Sequence, residues 1–197
     1  RPLLQCTDPE LFNPGRAQPD TGPEALWVGN SRGVERPLLR MALSSGVKVS
    51  IHGSGWQPFV DDSLVISEFV PNDLLGSLYA GARVVLNDHW EDMQRDGFLS
   101  NRLFDAVACG TRVLSDEVEG IEELFAGSVR TVASQADVDR ILGGPLDKWF
   151  DDRESRLATA ARVAAEHSFD ARARQLVEAV AAERGRVAGR PSSVPAP

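Results

Sequence analysis

The sequence predicts an α/β fold built on a parallel, doubly wound sheet. Short apolar or β-branched runs alternate with stretches of helical period between Ala25 and Val132, the order expected of consecutive βαβ units. Several of these runs end in glycine or polar residues, such as Gly29-Asn30-Ser31 and Gly53, as strand-to-helix turns require. A length of 197 residues suits one domain with a core of ordinary size.

Taken in order, residues 1–23 carry Pro2, Pro9, Pro14, Pro19 and Pro23 with no sustained period, and read as an incoming linker. Residues 25–28 form the first strand, 37–43 a helix, 47–51 a strand and 65–70 another. Asn72 is placed to cap a helix whose Leu74, Leu75, Leu78 and Tyr79 share one face. Residues 83–86 form a strand that enters the polar run 87–96. A helix over 101–109, a strand over 112–114, a short helix over 121–125 and a strand over 129–132 follow. Ser134 and Asp137 open a further helix in the manner of a capping box. Residues 146–183 are helical in period with a restart capped by Asp170, and 185–197 have the composition of a disordered tail. The folded domain is thus expected over 24–184.

Composition excludes several classes of function. A net charge of −8 without a basic stripe argues against general nucleic-acid binding, where phosphate neutralisation dominates affinity. No apolar run approaches a membrane span, and no signal-like segment follows Arg1. Cys6 and Cys109 lie far apart and lack CxxC spacing, which argues against a zinc site or disulfide scaffold and fits a cytoplasmic protein. Cys109 reads as a small buried helix residue.

Ligands of such sheets bind at the carboxyl ends of the strands. That rule selects residues 29–33, 52–55, 70–73 and 87–101. In the first, Gly29 and Gly33 bracket Asn30, Ser31 and Arg32, so backbone N–H groups can approach an anion. Arg36 and Arg40 share a helix face behind it, either as anion ligands or as a solvated basic face. The loop lacks the GxGxxG pattern, which disfavours classical dinucleotide binding. In the last segment, Ser100 or Asn101 caps a helix carrying Arg102 and Asp105 three residues apart. These residues suit a nucleotide diphosphate, with the guanidinium on phosphate and the carboxylate on hydroxyls. An ordinary intrahelical ion pair is the other reading. His52, at a strand end, either lines a site or packs. His89, Glu91 and Asp92 fit an active-site loop or surface better than a metal site. Asp137-Val138-Asp139 falls within a helix start, not a metal-binding loop. His167 reads as structural, and the four tryptophans are scattered.

The run GFLSNRLFDAVACGTRVLSDEVEGIEELF resembles the donor-site signature of group 1 glycosyltransferases of GT-B fold, in the subgroup that reads SNR before the helix and ACG after it. VGNSRG resembles the first phosphate-side loop of that family, and SEFVPNDLLGSLYAGARVVLN its base-side loop, helix and strand. The likeness extends over residues 25–125. It implies a Rossmann-like domain that forms the C-terminal half of such an enzyme, with an acceptor domain preceding the linker. It further implies metal-independent, retaining transfer from a nucleotide diphosphate sugar, with no further cofactor. Asp96 and Arg102 would serve catalysis. Gly29, Asn30, Ser31, Arg32 and Arg102 would hold the diphosphate, and Val70 and Pro71 would meet the base. Asp105 would bind the ribose, with His52, Asn87, Ser100 and Asn101 completing the site. Both acids are Asp where Glu is commoner, at a spacing one residue longer than usual, and no lysine takes the usual place beside the first loop. Arg32 or Arg36 would have to replace it. The chain alone is then expected to bind nucleotide sugar and transfer nothing, and Leu176, Val177 and Val180 to be partly exposed. A nucleotide-sugar epimerase of the same fold and a non-catalytic α/β interaction module are the alternatives.

Overall fold

The computed structural model describes residues 3–17 and 22–188. Six parallel strands form the sheet: β1 (Ala25–Val28), β2 (Val49–His52), β3 (Val65–Ser67), β4 (Val84–Asn87), β5 (Val113–Ser115) and β6 (Val129–Thr131). Their spatial order is β3-β2-β1-β4-β5-β6. The direction of winding reverses between β1 and β4, which opens a crevice at their carboxyl ends. The expected doubly wound, Rossmann-like sheet is therefore present.

Helices α1 (Pro37–Ser44), α2 (Asn72–Gly81), α3 (Glu91–Arg95), α4 (Asn101–Ala108), α5 (Ile121–Phe125), α6 (Gln135–Leu142), α7 (Arg153–Glu166) and α8 (Phe169–Ala188) complete the chain. The period-2 alternation of the strands explains why both faces are covered. Leu26, Val85 and Val113 point into one core, with Leu103, Phe104, Val107, Phe125 and Val163. Trp27, Ile51, Leu86 and Leu114 point into the other, with Leu38, Leu39, Trp56, Val138 and Ile141. Residues 103–108 of α4 are all buried, and Phe104 meets Phe125 edge-on at 5.0 Å. Each such apolar side chain contributes roughly 1.5–3 kcal/mol on burial. The helix that presents Arg102 is thereby fixed.

Several local expectations change. β3 ends at Ser67, which releases residues 68–70 to a loop at the crevice. The polar run after β4 contains α3, whose Glu91 and Asp92 suit a helix N-terminus. Pro71 occupies the cap position of α2, with Asn72 its first residue. Ser168, not Asp170, caps α8, its Oγ accepting from Ala171 N at 3.2 Å. Cys109, at the end of α4, is buried as expected. Asp137 and Asp139 lie in α6 behind the Ser134 cap.

The described part of the N-terminal segment is not a free linker. Phe12 is buried with its ring 6.0 Å from Tyr79, and a Cβ on Gly76 would stand 2.0 Å from the Leu11 carbonyl oxygen. Thr7 forms a parallel bridge with Ser168, and Arg172 donates to the carbonyls of Leu4 and Gln5 at 2.7 and 2.9 Å. Apolar residues between the prolines find a surface on α2, and the backbone finds partners at the start of α8. At the other end, α8 continues to Ala188. The rest of the expected tail, 189–197, lies outside the described residues. Leu176, Val177 and Val180 on α8 are exposed, as expected.

Candidate functional site

The loop after β1 is rigidly held. Gly29 N donates to the His52 carbonyl at 2.8 Å, and Ser31 N to that of Ser54 at 3.0 Å. The Trp56 indole donates to the Gly29 carbonyl at 2.8 Å, and the Asn30 carboxamide oxygen accepts from Ser54 N at 2.8 Å. Ser31 is fully buried; its hydroxyl donates to the Gly55 carbonyl and accepts from Gly33 N. Ser31 therefore shapes the loop and leaves the cleft face to Gly29, Asn30 and Arg32. Among the described residues, Arg32 alone of the non-glycines has positive φ, at 55°. That left-handed conformation is costly for a side chain with a Cβ, and here it presents an exposed cation at the loop's tip.

Opposite the loop stands the N-terminus of α4. Ser100 caps it, its hydroxyl accepting from Arg102 N at 3.3 Å. The Arg102 guanidinium donates to the Asn87 side-chain oxygen at 3.1 Å and lies 5.3 Å from the Trp27 ring centroid. It passes so close to Gly29 that a Cβ there would sit 2.7 Å from its Nη2. Arg102, Arg32, the β1 loop and a helix N-terminus thus share one cleft of about 380 Å³. His52, Glu68, Phe69, Val70 and Trp90 also line it. The His52 imidazole is 2.8 Å from the Ser67 hydroxyl, and burial holds it below the ordinary histidine range. His52 and Val70 also border an adjoining cavity with Pro71 and Leu74. Two cations beside a helix N-terminus in a concave site have the chemistry that suits a phosphate chain.

Arg36 borders the same cleft, but its charge is already engaged. Its guanidinium is buried against Asp88, with Nε at 3.0 and 2.9 Å from the two carboxylate oxygens and Nη2 at 2.5 Å. The Trp90 ring covers it at 4.2 Å. Burial raises the Asp88 carboxyl above its ordinary value, with Arg36 opposing that rise. Arg36 therefore builds the cleft wall, and Arg40 pairs with Glu35 in solvent at 3.6 Å. Of the two arginines weighed as the missing lysine's counterpart, Arg32 is the one left free to serve.

The two acids also fall elsewhere. Asp96 is exposed, follows α3 and pairs with Arg95 at 2.9 Å; it does not line the cleft. The turn that ends α3 carries its side chain into solvent. Asp105 is buried, accepting from the Thr7 hydroxyl at 2.7 Å and the Asn101 carboxamide at 2.7 Å, and it too lies outside the cleft lining. Asn101 is thus occupied with Asp105, and Asn87, fully buried, orients Arg102.

Burial pushes the Asp105 carboxyl up to about 7, against the pull of Thr7, Asn101 and Arg102. The native protein then keeps a proton that the unfolded chain releases near 3.8. This contribution to stability is complete below the unfolded value and is lost as pH rises through about 7. Urea titrations across that range are expected to show stability declining with pH. Asp105→Asn should remove most of the decline, and an unchanged slope would count against a raised carboxyl.

Sequence reasoning missed Trp27, Trp90, Glu68 and Phe69 as cleft residues. It also missed the part played by His89, which is fully buried and paired with Asp116 at 2.6 Å. Only the position of these residues just before or after strand ends could have marked them. His167 is buried against Phe104, with ring centroids 5.4 Å apart, in keeping with a structural role.

Residues 32–178 match a family described as glycosyl transferase-like. The chain belongs to that family. Among curated proteins no relative matches at a significant level. Solved structures share the fold of this glycosyl transferase-like chain at low sequence identity. Sucrose-phosphate synthase from Thermosynechococcus elongatus aligns with a TM-score of 0.65 at 18% identity, over 94% of this chain and 53% of that protein. AviGT4, a glycosyltransferase involved in avilamycin A biosynthesis, aligns at 0.57 and 18%, over 90% and 56%. The GtfA/B complex aligns at 0.52 and 14%, over 90% and 38%. The chain therefore spans about half the length of the first two proteins. Among the described residues no helix is long and apolar enough to cross a membrane.

Proposed function

We infer that this chain is the donor-binding half of a GT-B glycosyltransferase, holding a nucleotide diphosphate sugar in the cleft between β1 and α4. The observation that carries this reading is the convergence of Arg102, Arg32, the β1 loop and the α4 N-terminus at the sheet's switch point. The diphosphate lies between Gly29–Arg32 and Arg102, and the base reaches toward His52, Val70 and Pro71. Cations held beside a helix N-terminus stabilise charge on the departing diphosphate without reorganisation. The reaction we favour is therefore metal-independent transfer, with retention of configuration following from the family resemblance. Arg102 takes the catalytic role; the exposed Asp96 is left without one. Asp105 holds Thr7 and Asn101 where the resemblance implies ribose binding. A preceding acceptor domain completes the enzyme, in keeping with the share of its structural relatives that the chain spans. Without that domain the chain binds donor and transfers nothing.

Thermal-shift screening against UDP-, GDP-, ADP- and dTDP-sugars tests the reading and names the base. A ligand at 100 times its Kd stabilises by about 2.7 kcal/mol, which gives a clear upward shift in Tm. No shift with any of them would leave the non-catalytic module as the better account. Conversion of the donor sugar without acceptor would favour the epimerase.

A further inference from the structure

Two chains of hydrogen bonds run from the start of α4 to one carboxylate on the far side of β4. In the first, Ser100 N donates to His89 Nε2 at 2.9 Å, and His89 Nδ1 lies 2.6 Å from Asp116 Oδ1. Because a backbone N–H can only donate, Nε2 must accept; Nδ1 therefore carries the proton and donates to Asp116. In the second, Arg102 Nη1 donates to Asn87 Oδ1 at 3.1 Å, and Asn87 Nδ2 donates to Ser115 Oγ at 3.0 Å. The Ser115 hydroxyl then donates to Asp116 Oδ1 at 3.1 Å. Ser100 Oγ accepts from Arg102 N, so the two chains close into a ring. The remaining Asp116 oxygen accepts from His89 N at 2.8 Å and Gln94 Nε2 at 2.7 Å. Every donor in this ring points toward Asp116, and the His89 side chain is wholly buried within it.

We propose that Asp116 and His89 are positioning residues that set the phosphate-binding end of α4, Asp116 by fixing both the His89 tautomer and the Arg102 guanidinium. The proposal rests on the diphosphate reading of the cleft. Neither residue lines the cleft; both act through groups that do. A carboxylate is needed at 116 because it alone offers acceptors to four donors and no hydrogen of its own. In Asp116→Asn an N–H replaces one acceptor. If it faces His89 Nδ1, the imidazole proton moves to Nε2 and meets the Ser100 N–H head-on. The α4 terminus then loses its anchor, and Arg102 its fixed orientation.

The test uses the full chain, with inorganic pyrophosphate as probe and 15N-detected imidazole NMR at pH 8. The wild type is expected to show the Nδ1–H tautomer at His89. Asp116→Asn is expected to shift it to Nε2–H and to weaken pyrophosphate about tenfold. In an Arg102→Ala background the same substitution should cost only about threefold, the share carried by the α4 terminus, because the share that acts through Arg102 is already gone. Ser115→Ala, which cuts only the Asn87 arm, should weaken pyrophosphate about threefold with the tautomer unchanged; it decides the matter if Asp116→Asn does not fold. Wild-type affinity in a folded Asp116→Asn, an unmoved tautomer, or full additivity with Arg102→Ala would overturn the assignment. Failure of the wild type itself to bind pyrophosphate would instead remove the diphosphate reading, and the positioning role with it.

Discussion

Replacing Arg102 by alanine is expected to weaken pyrophosphate, and any nucleoside diphosphate the wild type binds, by about tenfold or more in calorimetry. The guanidinium is pre-aimed by Asn87 at 3.1 Å and by the Trp27 ring beneath it, so little side-chain entropy remains to be lost on binding. A charge-assisted hydrogen bond of this kind contributes about 1.5–3 kcal/mol, and 1.4 kcal/mol is roughly tenfold in affinity. Arg102→Lys is expected to recover only part of the loss, since an ammonium cannot donate to Asn87 and phosphate in one plane while covering Trp27. Arg32→Ala provides the comparison: its exposed cation is screened and should cost less. Unchanged affinity in Arg102→Ala would remove the central assignment.

Gly53→Ala is expected to be the most damaging single substitution near the cleft. A Cβ at this position would stand 2.2 Å from the Gly29 carbonyl oxygen and 2.5 Å from its carbon, on a backbone at φ +141°. The obstacle is main chain, held in place by the Gly29–His52 and Ser31–Ser54 hydrogen bonds, and cannot swing aside. Strain and clash together should lower stability by at least about 3 kcal/mol, read as a fall in the urea midpoint. Gly33→Ala separates the two contributions. It shares a positive φ of +76° but meets nothing within 4 Å, so it should cost only about 1 kcal/mol. Equal losses at both positions would mean that backbone conformation, not the close approach of the two loops, governs the site.

The parts of the fold legible in sequence were those written locally. β1, α5 and the opening of α6 fall where apolar alternation and capping residues place them. The β1 loop and Arg102 were legible as residues of one cleft for the same reason, since a glycine pair and a capped helix start are short-range signals. What misled was anything decided across the sheet. Arg36 has the look of a free cation until β4 brings Asp88 to it from 52 positions away. Asp105 follows Arg102 by three residues, which still turns it about 60° around the helix. That rotation is enough to face Thr7 while Arg102 faces Asn87. The ring through His89, Ser115 and Asp116 has the same origin: β4 and β5 are sheet neighbours, and only that adjacency makes the three residues one unit. The prolines of the N-terminal segment signalled a break in regular structure, but could not reveal that Phe12 is buried against Tyr79.

The distribution of indoles has a practical consequence. Trp27 and Trp56 meet edge-to-face at 5.6 Å beneath the β1 loop, and Trp90 lies over Arg36 at the cleft's wall. Trp149 stands apart, beside Arg140 on α6. Two of the four chromophores thus line the cleft and Trp56 backs its loop, while the fourth lies outside the cleft lining. Excitation near the red edge of tryptophan absorbance would follow cleft occupancy by the chain's own emission, with no label attached. Replacing Trp149 by phenylalanine would strip out the one background signal that the ligand should leave untouched.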